Sequence, residues 1–163
     1  MSPHAMRHGD LDPHVNVSTG VVVEEALHVH RVLGPGLNEW VYRECLAKRL
    51  TKRGLVVEQK VRRAAIFEGE RLERAFELDM LVEGTIIVEL KAVEEVHPAH
   101  YAQLRTYLRL TSCPVGFLIN FHAPLLKQGL LRLLNASPTL RRSDPPRESA
   151  SGRSEQSSCR PQL

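Results

Sequence analysis

Apolar residues recur at every second position on both sides of a glycine-containing connection between residues 76 and 91. Phe76, Leu78, Met80 and Val82 alternate on one side, and Ile86, Val88 and Leu90 on the other. A period of two with a turn residue between the runs predicts a β-hairpin. Side chains alternate across a strand, so Glu89 and Lys91 share the face opposite Ile86, Val88 and Leu90, and Asp79 lies opposite the Phe76–Val82 set. A two-residue turn at Glu83-Gly84 would place Asp79 opposite Val88 and mix the faces. A three-residue connection from Val82 to Gly84, or an equivalent bulge, places Asp79 opposite Ile87 and keeps the apolar faces together. Two carboxylates and an ammonium group then meet at one end of the hairpin. On spacing alone this is a solvated strand face with a Glu–Lys pair.

The rest of the chain alternates between helical and strand-like patterns. Residues 1–17 are polar, with Pro3, Pro13 and scattered histidines, and are expected to form a disordered leader. Val22, Ala26, Val29 and Leu33 follow helical spacing after a cap at Ser18 or Thr19, and Gly34-Pro35-Gly36 ends that helix. A second helix, capped by Asn38, carries Val41, Cys45 or Leu46, and Leu50 on its apolar side. Its C-terminal turns are crowded with Lys48, Arg49, Lys52 and Arg53, where the helix dipole favours cations. Glu39 opens this helix, and Tyr42 stands three residues on along the same face. Leu55–Val61, continued by Ala64–Phe67 beyond a bend, reads as a strand. Pro98 opens a helix to about Leu110, in which Gln103 and Tyr107 share a face. Val115–Phe121 reads as a buried strand and Leu125–Leu134 as a short last helix. Residues 136–163 are rich in Ser, Pro and Arg and predict a disordered tail.

The 163 residues suffice for one domain with a real core, assigned to residues 18–135. Three cysteines, odd in number and far apart, fit reduced thiols in a cytoplasmic protein better than a disulfide framework. No run approaches a membrane span, and the N-terminus lacks the apolar stretch of a signal peptide. A formal charge of +3 permits a nucleic-acid partner without requiring one and excludes a strongly acidic surface.

The order helix, helix, three strands, helix, strand, helix, with Asp79 and Glu89-Leu90-Lys91 on adjacent strands, resembles the PD-(D/E)XK nuclease superfamily. Within it the chain is similar to the prokaryotic family named for a GxxExxY motif, which here reads Gly36-Leu37-Asn38-Glu39-Trp40-Val41-Tyr42. Val29-His30 ahead of Leu33-Gly34-Pro35-Gly36, Gln103-Leu104-Arg105-Thr106-Tyr107-Leu108, and Val115–Phe121 fit the same family in order. Leu78 departs from the superfamily pattern, standing where a proline would give Pro-Asp.

The resemblance implies an α/β fold with a central mixed sheet of about four strands flanked by helices, in the order ααβββαβα. It also implies metal-dependent hydrolysis of phosphodiester bonds in nucleic acid, DNA or RNA being left open. Asp79 and Glu89, joined by Glu39, would hold Mg²⁺ or Mn²⁺, and Lys91 would orient the attacking water or stabilise charge. Gln103 and Tyr107 resemble the Gln-x-x-x-Tyr element of RecB-like members, and Tyr42 and His30 join them as supporting residues. Hard oxygen ligands suit Mg²⁺, which keeps waters and needs only one or two carboxylates. The alternative is a non-catalytic nucleic-acid-binding or protein-interaction module that retains the fold. A protein partner or a homodimer is also left open.

Overall fold

The computed structural model describes residues 11–135. The proposed tail, and the leader up to residue 10, lie outside the described residues. The first helix, α1, spans Pro13–Leu33, so it starts well before the expected cap at Ser18. Asp12 is the N-cap, accepting from the His14 amide at 2.8 Å, and Pro13 takes the first turn, where its missing N–H costs nothing. Ser18 and Thr19 are buried inside the helix instead. The Thr19 hydroxyl donates to the Asn16 carbonyl at 2.7 Å. Residues 13–17 therefore belong to the helix and not to a leader.

Helix α2 (Glu39–Lys52) follows, then β1 (Val57–Phe67), β2 (Glu70–Val82) and β3 (Ile86–Lys91). Helix α3 (Pro98–Thr111) leads to β4 (Val115–Asn120), a single turn α4 (Leu126–Gly129) and β5 (Leu130–Leu134). The strands form one five-stranded mixed sheet in the order β1-β2-β3-β4-β5. β3 and β4 run parallel, joined by the α3 crossover, and the other neighbours are antiparallel. The expected last helix is thus mostly a fifth strand. Leu130-Leu131-Arg132-Leu133-Leu134 has no period that separates helix from strand. Pairing it with β4 satisfies an otherwise open edge.

Two cores sandwich the sheet. Val22, Ala26 and Val29 of α1 and Tyr42, Leu46 and Leu50 of α2 cover one face, packing on Ile86, Val88, Leu90, Val115, Phe117 and Ile119. Leu104, Tyr107 and Leu108 of α3 cover the other, over Leu78, Leu81, Ile87 and Leu118. Gly116 lets α3 approach this closely, since a Cβ there would sit 2.7 Å from Leu104 Cδ1.

The hairpin differs from expectation in register and in face. Its three-residue connection is Glu83-Gly84-Thr85, so the ladder pairs Val82 with Ile86 and Met80 with Val88. Asp79 therefore stands opposite Glu89, two residues beyond the expected Ile87. Glu83 and Gly84 both take left-handed conformations, with φ of 54° and 64°. Val56 supports that strained glutamate, donating to its carboxylate at 2.5 Å while its own carbonyl accepts the Glu83 amide at 2.9 Å. The face correction is larger. Met80 and Val82 pack toward α1 and α2, whereas Phe76 and Leu78 pack toward α3, so the four do not form one face. The same exchange occurs on β1, where Val57 packs on the first core and Val61 on the second. Both strands change faces across the facing pair Lys60 and Asp79, and Lys60 has a φ of 51°.

Candidate active site

That face exchange opens the sheet around Asp79. The backbone ladder between β2 and β3 ends at Met80–Val88, and side chains replace it beyond. The Asp79 amide donates to Glu89 Oε1 at 3.3 Å, and Asp79 Oδ2 accepts the Leu90 amide at 3.1 Å. Both carboxylates are thus drawn into the end of the sheet, and both are buried. Lys91 Nζ lies 4.0 Å from Asp79 Oδ2. Asp79, Glu89 and Lys91, the three strand residues singled out by pattern, come together here.

Electrostatics separates the two acids. Burial opposes ionisation of Asp79, yet the Lys60 and Leu90 hydrogen bonds and the charges of Lys60 and Lys91 outweigh it and hold its carboxyl below the usual range. Glu89 has no such cation on it. Burial, reinforced by the neighbouring negative charge of Asp79, pushes its carboxyl up to about 8. Glu39, at the first position of α2, is raised by burial and then by the Asp79 charge, with Lys91, Lys60 and Arg43 acting the other way. It is thus within electrostatic reach of the pair. Among the described residues no three carboxylate, imidazole or thiol groups form a preformed metal cage.

α3 turns a polar edge toward the same place. Gln103 Nε2 donates to the Tyr107 hydroxyl at 2.8 Å, and the Tyr107 ring stacks on Phe76 at 4.8 Å. Burial and then the charge of Glu89 raise the Tyr107 phenol. Tyr107, with Gln103 bonded to it, is therefore within electrostatic reach of Glu89.

Tyr42 and His30 sit elsewhere. The Tyr42 hydroxyl donates to the Gly34 carbonyl at 2.7 Å and accepts the Leu37 amide at 3.0 Å, and its ring stacks on Phe121 at 4.5 Å. His30 Nε2 donates to the Ala123 carbonyl at 2.8 Å. Both brace the loops around the site: Tyr42 folds the Gly34–Leu37 turn that delivers Glu39, and His30 ties α1 to the exit of β4.

Four participants escaped the pattern. Lys60 Nζ lies 2.6 Å from Asp79 Oδ1. It was legible only through the β1–β2 register, which places it opposite Asp79. Arg43 follows Glu39 by one helical turn. His100 precedes Gln103 by one turn, with its Nδ1 shielded and without a hydrogen-bond partner; burial and then the Lys91 charge lower its pKa. Asn120 is buried at the end of β4 beside Lys91. Its side chain clamps the Val93 backbone, donating to the carbonyl at 2.8 Å and accepting from the amide at 3.1 Å, so the chain leaving Lys91 is held in place.

A model of the PD-(D/E)XK nuclease superfamily matches residues 16–133. No curated protein and no solved structure matches the chain significantly.

Proposed function

Because the chain belongs to the PD-(D/E)XK nuclease superfamily, we propose that it is a metal-dependent phosphodiesterase of the GxxExxY type, acting on nucleic acid in the cytoplasm. The observation that carries this reading is the meeting of Asp79, Glu89 and Lys91 where β2 and β3 part. The Gly36–Tyr42 motif supports the finer family, since its Glu39 and Tyr42 take distinct places beside and behind the site. The free thiols of Cys45 and Cys113 fit a reducing compartment.

The donor set fits Mg²⁺ or Mn²⁺. Asp79 and Glu89 offer hard oxygen ligands, and the burial and the repulsion from Asp79 that keep Glu89 protonated are what a divalent cation would offset. Glu39, which feels the Asp79 charge, would join them as a further oxygen ligand. When bound, the ion supplies polarisation of a phosphoryl oxygen and a more acidic water. Lys91, 4.0 Å from Asp79 Oδ2, would supply positive charge next to the attacking water and to charge developing on phosphorus. Lys60 fixes the Asp79 carboxylate from its other oxygen. Gln103 and Tyr107 close the α3 side and supply polar groups for the strand.

The test compares melting curves of wild type, Asp79→Asn and Lys91→Ala with and without Mg²⁺, together with cleavage of labelled DNA and RNA. Wild type should gain about 2.7 kcal/mol at a hundredfold excess of Mg²⁺ over its Kd. Asp79→Asn should gain much less, and Lys91→Ala should keep the gain while losing cleavage. Equal Mg²⁺ responses in wild type and Asp79→Asn would end the metal-site assignment. Metal-linked stabilisation without cleavage would favour a non-catalytic binding module.

A further inference from the structure

Most cations at the site are already engaged. Lys60 binds Asp79 and lies 3.7 Å from Glu77, and Lys91 leans on Asp79. Arg43 differs. It lies one turn after Glu39 on α2, the helix that packs across β1, β2 and β3. Glu39 and Arg43 are spaced for an i, i+4 ion pair, yet no carboxylate among the described residues lies within 4.0 Å of the Arg43 guanidinium. Its Nε is shielded from solvent and has no hydrogen-bond partner. Its terminal nitrogens are not among the shielded atoms, so they are the donors open to an incoming acceptor.

Resting on the nuclease reading above, we propose that Arg43 grips a backbone phosphate of the nucleic-acid strand next to the scissile bond. A planar guanidinium presents parallel donors that match two phosphate oxygens, which an ammonium cannot do. The position suits the role. Arg43 stands one turn beyond Glu39 on the helix that packs across β1, β2 and β3, and its charge is felt by both Glu39 and Lys60. On the nuclease reading Asp79 and Glu89 would serve the metal and the scissile phosphate, so the neighbouring phosphate needs a cation outside that pair. Arg43 thus acts in placing the strand and takes no part in bond cleavage. A contact to phosphate carries no sequence information, so strand placement here is independent of base identity.

The experiment measures binding of a labelled DNA strand, the matching RNA strand and the DNA duplex to the full chain in EDTA, where metal-dependent cleavage stops. Wild type is compared with Arg43→Gln and Arg43→Lys over a range of salt concentrations. Arg43→Gln should weaken binding about tenfold. It should also reduce the slope of log affinity against log salt by about 1. Arg43→Lys should keep the slope and recover part of the affinity. With Mg²⁺ present, KM should rise more than kcat falls, and the melting temperature without nucleic acid should stay at the wild-type value. If Arg43→Gln fails to fold, Arg43→Lys decides by its affinity, which on this view stays below wild type. Wild-type affinity and slope in the variants would overturn the proposal, as would absence of binding by wild type to all three nucleic acids. The nuclease reading is judged separately, by the Mg²⁺ melts of Asp79→Asn, which need no nucleic acid.

Discussion

Asp79 and Glu89 face each other across β2 and β3, joined by a hydrogen bond from the Asp79 amide to Glu89 Oε1 instead of a backbone ladder. That bond holds two acids side by side in a buried site and leaves only one of them paired with a lysine at hydrogen-bond distance. The asymmetry follows from position. Asp79 faces Lys60 on β1, while Glu89 lies on β3 with no cation that close among the described residues.

Glu89 gives a pH signature opposite to that of a carboxylate paired with a cation. Its carboxyl is raised from 4.5 to about 8. Between those values the folded state keeps a proton that the unfolded chain has released, so this group's share of stability falls as pH rises through the window. Glu89→Gln removes the penalty. Without metal it should be more stable than wild type by about 1–3 kcal/mol at pH 8, and nearly equal at pH 4.5. Mg²⁺ affinity of wild type should rise across the same window, since binding releases the proton. Denaturant titrations at several pH values measure both, and parallel wild-type and variant profiles would refute the assignment of the raised group.

Glu25 titrates in the other direction. It is 1% exposed and is held by Arg49 at 2.6 Å and by Arg53 at 2.7 Å. Burial raises its pKa, but the bonds and charges of the two arginines lower it further, below 4.5 overall. Its stabilisation is therefore complete above pH 4.5 and is lost as pH falls through the folded value. Glu25→Gln should destabilise by about 1–3 kcal/mol at neutral pH, at the low end because the arginines are half-exposed and can rehydrate. Its acid limb should be shallower than that of wild type. An unchanged acid limb would show that Glu25 does not drive it.

Tyr42→Phe separates bracing from binding. The variant keeps the ring stacked on Phe121 but loses the bonds to Gly34 and Leu37. Loss of about 1 kcal/mol is expected, because the Gly34 carbonyl and the Leu37 amide lose the hydroxyl but lie close enough to solvent to find water. The Mg²⁺-linked gain in melting temperature should remain close to wild type. If Mg²⁺ stabilisation vanishes while the fold survives, Tyr42 reaches the metal site after all.

The acidic pair, its lysine, the polar pair of α3 and the helix–strand order as far as β4 were legible because they depend on local periodicity and short motifs. The period of two also set the parity of the β2–β3 pairing, as a one-residue slip would have buried Glu89 and Lys91 in the wrong core. Parity does not choose between registers that differ by two. That choice was made by Val56, far off in the chain, which holds Glu83 in a left-handed turn. Likewise Leu130–Leu134 is apolar enough for helix or strand, and the open edge of β4 decided for strand. Lys60 and Arg43 have no motif at all. They reach the site only because β1 pairs with β2 and α2 lies across the sheet. Charges on separate elements are brought together by packing, and nothing in the spacing along the chain records that distance.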